Sequence, residues 1–436
     1  MAVSKKGKIL LAAGAAVMLT AAVLLASGSG RRKAEPRIPV DLNASLTNEM
    51  SDTSILKGMD SMVTDYMRVW GLKGVSLSVM RNDSLLYAKG YGIADTRKPM
   101  SPGNILRVAS VSKLVTAVGI MVLCERGQLA LEDTVFGPSG ILNDSTYNEA
   151  ITDSLYYRIT VEDLLRHKGG FSKKGGDPMF STRWIMMQKH WKKVPTKEQL
   201  MELQLARPLK FEPGTWQDYS NFGYLALSMV IEKVSGQDYE TFMQENVLKP
   251  VGCVGFKIAG NYYADKWPDE VRYYVPKDDQ MVEEFNNSGR KVVRCYGGNN
   301  VSGLLGAGAW AASTPELALL VASIDGKEEV PDIISKESVD RMTEYFDPDT
   351  YSLGWNDTKP NGEWTRTGTF AGTSALIKTF EDGECWIFVT NTSTYKGPAL
   401  ASHTNELFEN MRLEYSGKLP RRNLFYEIPA TDEEEG

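Results

Sequence analysis

Leu106-Arg107-Val108-Ala109-Ser110-Val111-Ser112-Lys113-Leu114-Val115-Thr116 sets a serine three residues before a lysine at the head of an apolar run. Residues i and i+3 of a helix share a face, so the amine of Lys113 can lie beside the hydroxyl of Ser110. A lysine kept out of water gives up its proton more readily, and a neutral amine can take one from a serine. The spacing alone decides little, because Ser54/Lys57, Ser288/Lys291 and Ser393/Lys396 repeat it. The apolar run after Ser110 separates it from them. Leu114, Val115, Val118, Met121, Val122 and Cys124 are spread around much of a helix circumference, which predicts a helix buried on most sides. Glu125-Arg126-Gly127 closes it, with glycine for the left-handed cap.

The chain of 436 residues has room for one large domain or two ordinary ones. Its net charge is −6 and it has no long basic stripe, so nucleic acid is not an expected partner. Cys124, Cys253, Cys295 and Cys385 stand far apart with no Cys-x-x-Cys pair. His167, His190 and His403 lack metal-ligand spacing, and neither a metal nor a cofactor is expected.

At the N-terminus Lys5, Lys6 and Lys8 precede a run from Ile9 to Ala26 without a charge. A helix of that length spans about 27 Å, close to a hydrocarbon core of about 30 Å. We read residues 1–26 as an uncleaved anchor, with cleavage near Ala26-Ser27-Gly28 as the alternative; both readings export the remainder. Residues 27–45 read as a linker containing Pro36 and Pro39, and 416–436 as an acidic tail.

Between them, residues 46–415 alternate in period. Ile55, Met59, Met62, Val63, Tyr66 and Trp70 recur as one face of a helix. Gly74 to Met80 and Leu85 to Tyr91 read as a hairpin turning at Arg81-Asn82-Asp83-Ser84. Gly169 to Gly176 reads as a mobile surface loop, and Trp184, Met187 and Trp191 as a helical segment near a pocket. A helix is expected from Tyr224 to Val234, and another, capped by Thr314 and opened by Pro315, through Ser323. Trp364 to Thr369, Ser374 to Phe380 and Cys385 to Asn391 read as strands, with a helix from Ala401 to Tyr415 after them. Strands at both ends predict an antiparallel sheet built from both termini, with a helical region inserted at about 130–300.

An acyl-transfer site needs a proton donor and oxyanion-holding N–H groups besides its nucleophile. Two candidates are unique in the chain: Tyr219-Ser220-Asn221 is its only Tyr-x-Asn, and Thr367-Gly368 its only Thr-Gly. In this reading Ser110 attacks and Lys113 and Tyr219 share the proton. Asn221 holds polar substrate groups, and Gly368 lets an edge strand approach a substrate closely.

These residues resemble the serine β-lactamase and D-alanyl-D-alanine peptidase superfamily, in its Tyr-x-Asn, class C-like branch. Further pieces of the resemblance are Gly74 to Val79, Gly90 to Asp95, and Leu164-Leu165-Arg166-His167-Lys168-Gly169-Gly170-Phe171. Phe211-Glu212-Pro213-Gly214 and Gly306 to Thr314 complete them, so that about residues 55 to 395 are covered. The resemblance implies an α/β (α+β) fold of the β-lactamase/transpeptidase type and a covalent acyl-enzyme at Ser110. It implies oxyanion donors in the backbone N–H groups of Ser110 and Thr369, and a structural His167. It implies a small peptide, ester or β-lactam substrate, including a cell-wall muropeptide with a free carboxylate, and membrane contact through the N-terminal segment only. The expected place is the bacterial envelope, at the periplasmic face of the inner membrane if the anchor is retained and in the periplasm otherwise. A D-alanyl peptidase or esterase is the leading activity; a class C-like β-lactamase and a non-catalytic cell-wall peptide sensor are the alternatives. One position departs from the pattern: Arg366 stands where lysine or histidine is usual. Its permanent charge predicts a grip on a substrate carboxylate.

Overall fold

The hairpin that leads toward Ser110 organises the sheet. β1 (Gly74–Arg81) and β2 (Ser84–Asp95) join through Asn82 and Asp83, both at positive φ, the backbone a tight two-residue hairpin turn needs. The chain is described by a computed structural model over residues 39–174, 176–276, 281–347 and 349–427. The apolar segment 9–26 and the acidic residues Asp432 to Glu435 lie outside the described residues. Among the described residues no helix is long and apolar enough to cross a membrane.

From the far end of the chain come β3 (Trp364–Phe370), β4 (Thr373–Thr379) and β5 (Glu384–Thr390). β5 lies antiparallel against β1, with Val75 opposite Thr390 and Arg81 opposite Glu384, and so welds the two ends together. The sheet has seven strands in the order Lys98–Pro99, β2, β1, β5, β4, β3, Asp357–Thr358. The last of these pairs only with Trp364 and Thr365, so β3 is an open edge from Arg366 onward. The sheet expected from both termini is therefore present, with the helical region between its halves.

Period-two alternation assigns the faces. Val75, Leu77 and Val79 of β1 pack with Trp386 and Phe388 against α1 (Lys57–Trp70) and the C-terminal helix Leu400–Tyr415. Ser76 and Ser78 point the other way. Their hydroxyls meet Thr314 Oγ1 at 2.7 and 2.8 Å, where the helix Thr314–Ala322 begins. The cap of that helix is therefore Ser313, whose side chain accepts from the Glu316 N–H, and not Thr314 as expected. Small residues on this face of β1 let the helix lie close.

Behind the sheet runs α2 (Ser112–Glu125), with every residue from Ser112 to Leu123 buried. Its low amphipathicity follows from its place in the middle of the fold. Across it lies α3 (Asn221–Ser235), which starts three residues earlier than the apolar pattern shows, because Ser220 caps it through the Gly223 N–H at 3.0 Å. The glycine-rich stretch ending at Gly308 threads between them. A Cβ on Gly306 would sit 2.5 Å from both Ser228 Oγ and Thr116 Oγ1.

The packed body extends beyond 46–415. Leu42 and Leu46 are in the core at one end, Leu424 and Phe425 at the other. Backbone bonds from Val40 N to Phe425 O and from Leu424 N to Leu85 O hold the two ends together. Two apolar side chains surrounded by linker-like residues carry no periodicity, which is why the pattern missed them. The expected mobile loop is pinned as well: Lys210 N bonds Gly170 O, and Lys173 Nζ meets Asp218 Oδ1 at 2.5 Å. The expected helical segment forms as Thr182–Lys189, with Trp184 and Met187 about half exposed, and ends at a left-handed His190 so that Trp191 lies beyond it.

Truncating a buried aromatic ring costs about 3–5 kcal/mol. Phe425→Ala is expected to lower the denaturant-derived stability of the folded body by that amount; a loss of under about 1 kcal/mol would show that the segment after Tyr415 is dispensable.

Candidate active site

Ser110 is partly exposed at a strained turn. Ala109, just before it, has φ +48°, a conformation costing a non-glycine residue about 1–2 kcal/mol. The surroundings hold the turn in place. Val108 N donates to Trp310 O, Trp310 N to Ser112 Oγ, and Thr373 Oγ1 to Arg107 O at 2.6 Å. The aromatic region around residues 260–296 braces the same turn: Arg107 N donates to Tyr273 Oη at 2.7 Å, and the guanidinium reaches the Cys295 and Gly260 carbonyls.

One helical turn after the serine, Lys113 is fully buried, whereas Lys57 and Lys291 of the competing Ser-x-x-Lys matches are exposed. Its Nζ contacts Ala307 O at 2.6 Å, Asn221 Oδ1 at 2.8 Å and Ser110 Oγ at 3.2 Å. A neutral amine has two N–H donors and one lone pair. Two carbonyl-type acceptors and one hydroxyl are what it can satisfy. Burial pushes the Lys113 amine below the ordinary lysine range; the nearby Arg366 charge adds to this, while Tyr219 and Asp177 oppose it.

Tyr219 Oη lies 2.7 Å from Ser110 Oγ. Burial alone would raise its phenol, but the Lys113 and Arg366 cations outweigh that, and the net shift is downward. The Lys113 Nζ also lies 4.8 Å from the Tyr219 ring centroid and 5.6 Å from that of Tyr224. His167, buried and at positive φ, accepts from Ser220 N at Nδ1 and from Asp218 N at its carbonyl, clamping both sides of Tyr219. Its ring stacks 4.4 Å from that of Tyr219. Burial, then the Lys113 and Arg366 charges, hold it well below the ordinary histidine range, so it stays neutral.

β3 supplies the opposite wall. Arg366 and Gly368 face the nucleophile's turn, and a Cβ on Gly368 would lie 2.1 Å from Val108 O and 2.9 Å from Ser110 N. Glycine here serves the approach of the strand to the Ser110 backbone itself, which is a different contact from the expected one with substrate. Arg366 also differs from expectation. It is wholly buried, Nε donates to the Ser110 carbonyl at 2.9 Å, and Nη2 donates to the same oxygen. The strand comes so close that two nitrogens of the fork meet the serine's own backbone, while Nη1 is buried without a hydrogen-bond partner among the described residues. Thr367 N donates to Asn356 Oδ1 at 2.6 Å, away from β4. By alternation the Thr369 N–H leaves the strand on that same open edge. Ser110 N lies in the first turn of its helix, where the helix provides no acceptor.

Asn221 was expected to hold substrate. Its Oδ1 is instead on Lys113, and its Nδ2 donates to Asp177 Oδ2 at 2.7 Å. Asp177 and the Ala307 carbonyl are the two participants that residue patterns do not reveal. The second is a backbone atom, invisible to residue type. The first sits in a glycine- and lysine-rich loop and carries no motif.

Residues 59–407 match the family model described as Beta-lactamase. A putative D-alanyl-D-alanine carboxypeptidase of Escherichia coli O157:H7 is 26% identical over 350 residues, covering 74% of this chain and 76% of that one. An esterase of Burkholderia gladioli is 27% identical over 237 residues, covering 53% of this chain and 56% of the esterase. The solved D-amino acid amidase from Ochrobactrum anthropi SV3, complexed with L-phenylalanine amide, shares the fold at a TM-score of 0.63 and 18% identity, over 84% of this chain and 99% of that one. With a match over most of its length, and a sheet joined from both ends around a buried helix, the chain belongs to the beta-lactamase family of serine hydrolases.

Proposed function

We propose that this chain hydrolyses amide or ester acyl bonds through an acyl-enzyme on Ser110. The observation that carries the reading is the double contact on Ser110 Oγ, from Tyr219 Oη at 2.7 Å and Lys113 Nζ at 3.2 Å. Ser110 Oγ attacks the acyl carbon while its proton passes to the Lys113–Tyr219 pair. The N–H groups of Ser110 and Thr369 hold the oxyanion. Tyr219 then returns the proton to the leaving amine or alcohol, and water repeats the sequence on the acyl-enzyme. A sensor that merely bound cell-wall peptides would have no use for a hydroxyl contacted by both a buried amine and a phenol.

Among acyl bonds, we favour esters, amides and D-alanyl peptides over β-lactams. The names of the curated relatives support that breadth, one being a putative carboxypeptidase and another an esterase. The role of Arg366 moves with its position. It holds the Ser110 carbonyl and, as a buried cation, favours the neutral amine and the phenolate beside it. We further propose that the enzyme acts in the bacterial envelope, exported by the segment 9–26, on cell-wall peptides or small acyl compounds.

Intact mass after treatment with a penicillin or a fluorophosphonate is expected to show one covalent adduct that is absent from Ser110→Ala. No adduct on the wild type with either probe would leave the binding-protein reading in its place. Replacing Arg366 by alanine is expected to lower kcat/KM equally on neutral esters and on carboxylate-bearing peptides. A loss confined to the carboxylates would restore the substrate-gripping role. The sign of the pH effect comes from the charge. Arg366 lowers the proton affinity of both Lys113 and Tyr219, so removing it raises both. The acid limb of the kcat/KM profile then moves to higher pH. An unmoved or downward-moving limb would separate Arg366 from the proton-transfer pair.

A further inference from the structure

The loop before the helix Thr182–Lys189 brings a carboxylate into the site that the mechanism above does not use. Asp177 Oδ2 accepts from Asn221 Nδ2 at 2.7 Å, and Oδ1 accepts from Met179 N at 3.0 Å. An ionised carboxylate only accepts, so its position obliges Asn221 to turn its NH2 outward and its carbonyl toward Lys113. Lys173, four residues before Asp177, is engaged elsewhere: it and Lys210 both pair with Asp218, at 2.5 and 3.1 Å. Among the described residues no cation lies within ion-pair distance of Asp177. The carboxylate is half-buried, with lone pairs to spare beyond its two bonds.

For a base that must be neutral, an uncompensated negative charge two hydrogen bonds away is a handicap. Asp177 favours the protonated form of Lys113, against the effect of burial. The handicap disappears once a cation settles on Asp177. The site's own positive groups lie buried behind the nucleophile, Lys113 on the Ala307 carbonyl and Arg366 on that of Ser110 through Nε and Nη2. The charge presented beside them is therefore negative.

We propose that Asp177 is the anchor for a cationic acyl group, so that the preferred substrates are amides or esters of an amino acid with a free ammonium group. This rests on the acyl-enzyme reading of Ser110. The ammonium pairs with Asp177 while the acyl carbonyl lies between the Ser110 and Thr369 amides. In doing so it cancels the field that holds the proton on Lys113, so binding of the right substrate also readies the base. Acylating the amine removes both effects.

The test compares the p-nitroanilides of D- and L-alanine with their N-acetyl counterparts, on the full chain and on its Asp177→Asn and Asp177→Glu variants. The wild type is expected to favour the free amine over its N-acetyl partner by at least about tenfold in kcat/KM for one enantiomer, which corresponds to about 1.4 kcal/mol. The ratio should fall to near one in Asp177→Asn and largely survive in Asp177→Glu. Protection of wild-type Ser110 from a fluorophosphonate by alaninamide, and not by N-acetylalaninamide, reads the same preference without any variant. Equal turnover of the two forms, a preference that survives in Asp177→Asn, or inertness toward all four anilides by a protein that labels normally would each overturn the assignment. Failure of the wild type to label at all would instead remove the acyl-enzyme reading beneath it.

Discussion

A lysine amine buried, among the described residues, without a carboxylate in ion-pair contact is the constraint on which the rest of this structure depends. Desolvating an ammonium costs several kcal/mol, so burial at this depth lowers the proton affinity of Lys113 while its hydrogen-bonding capacity is met. No single segment meets it. α2 carries the residue, α3 brings Asn221, and the loop after Val301 brings the Ala307 carbonyl through the gap left by Gly306. The apolar circumference of α2 serves the same end by keeping water away from the amine.

The sheet answers a second demand, that of bringing β3 against the turn at Ser110. Joining β1 to β5 fixes the C-terminal hairpin relative to the N-terminal one, and two strands further out β3 meets the backbone of Val108 to Val111. The positive φ at Ala109 and the missing side chain at Gly368 are two sides of that contact. One turns the serine outward, and the other lets a strand edge pass within reach of its amide. Arg366 then closes the gap from below, fastened to the Ser110 carbonyl, so that the nucleophile's N–H and C=O are addressed by the same strand.

How much of this could be read in the sequence depended on whether a side chain's task is expressed as periodicity. The hairpin strands were legible because Val75, Leu77 and Val79 alternate with Ser76 and Ser78. α2 was legible because a fully buried helix has no polar face. Ser110, Lys113, Tyr219 and Asn221 do meet around one hydroxyl, and the Tyr-x-Asn spacing has a plain cause: the tyrosine precedes a helix cap and the asparagine opens the helix. The direction of the Arg366 fork was not legible. It results from a strand approach of a few ångströms that no residue pattern encodes, and the same arginine on a slightly more distant strand would face substrate. Asp177 was hidden by its loop, where glycines and lysines announce exposure while Asp218 draws the cations away. Leu424 and Phe425 were hidden by their neighbours, since two buried residues in a polar stretch make no period.

The placement of charge bears on what such a site tolerates. Lys113 and Tyr219 lie within one hydrogen-bonded group, and a proton lost from it belongs to the pair and not to either residue. Arg366 lowers the proton affinity of both from behind the nucleophile, where two of its nitrogens hold the Ser110 carbonyl. A cation in the open site would have tied readiness to a carboxylate on the substrate and narrowed the chemistry to peptides with a free C-terminus. With that cation withdrawn beneath the serine, the leaving group is left unspecified by the catalytic core. Selection then falls to what the loops present on the acyl side. There, the one charge held in direct contact with the catalytic hydrogen-bond network among the described residues is the carboxylate of Asp177.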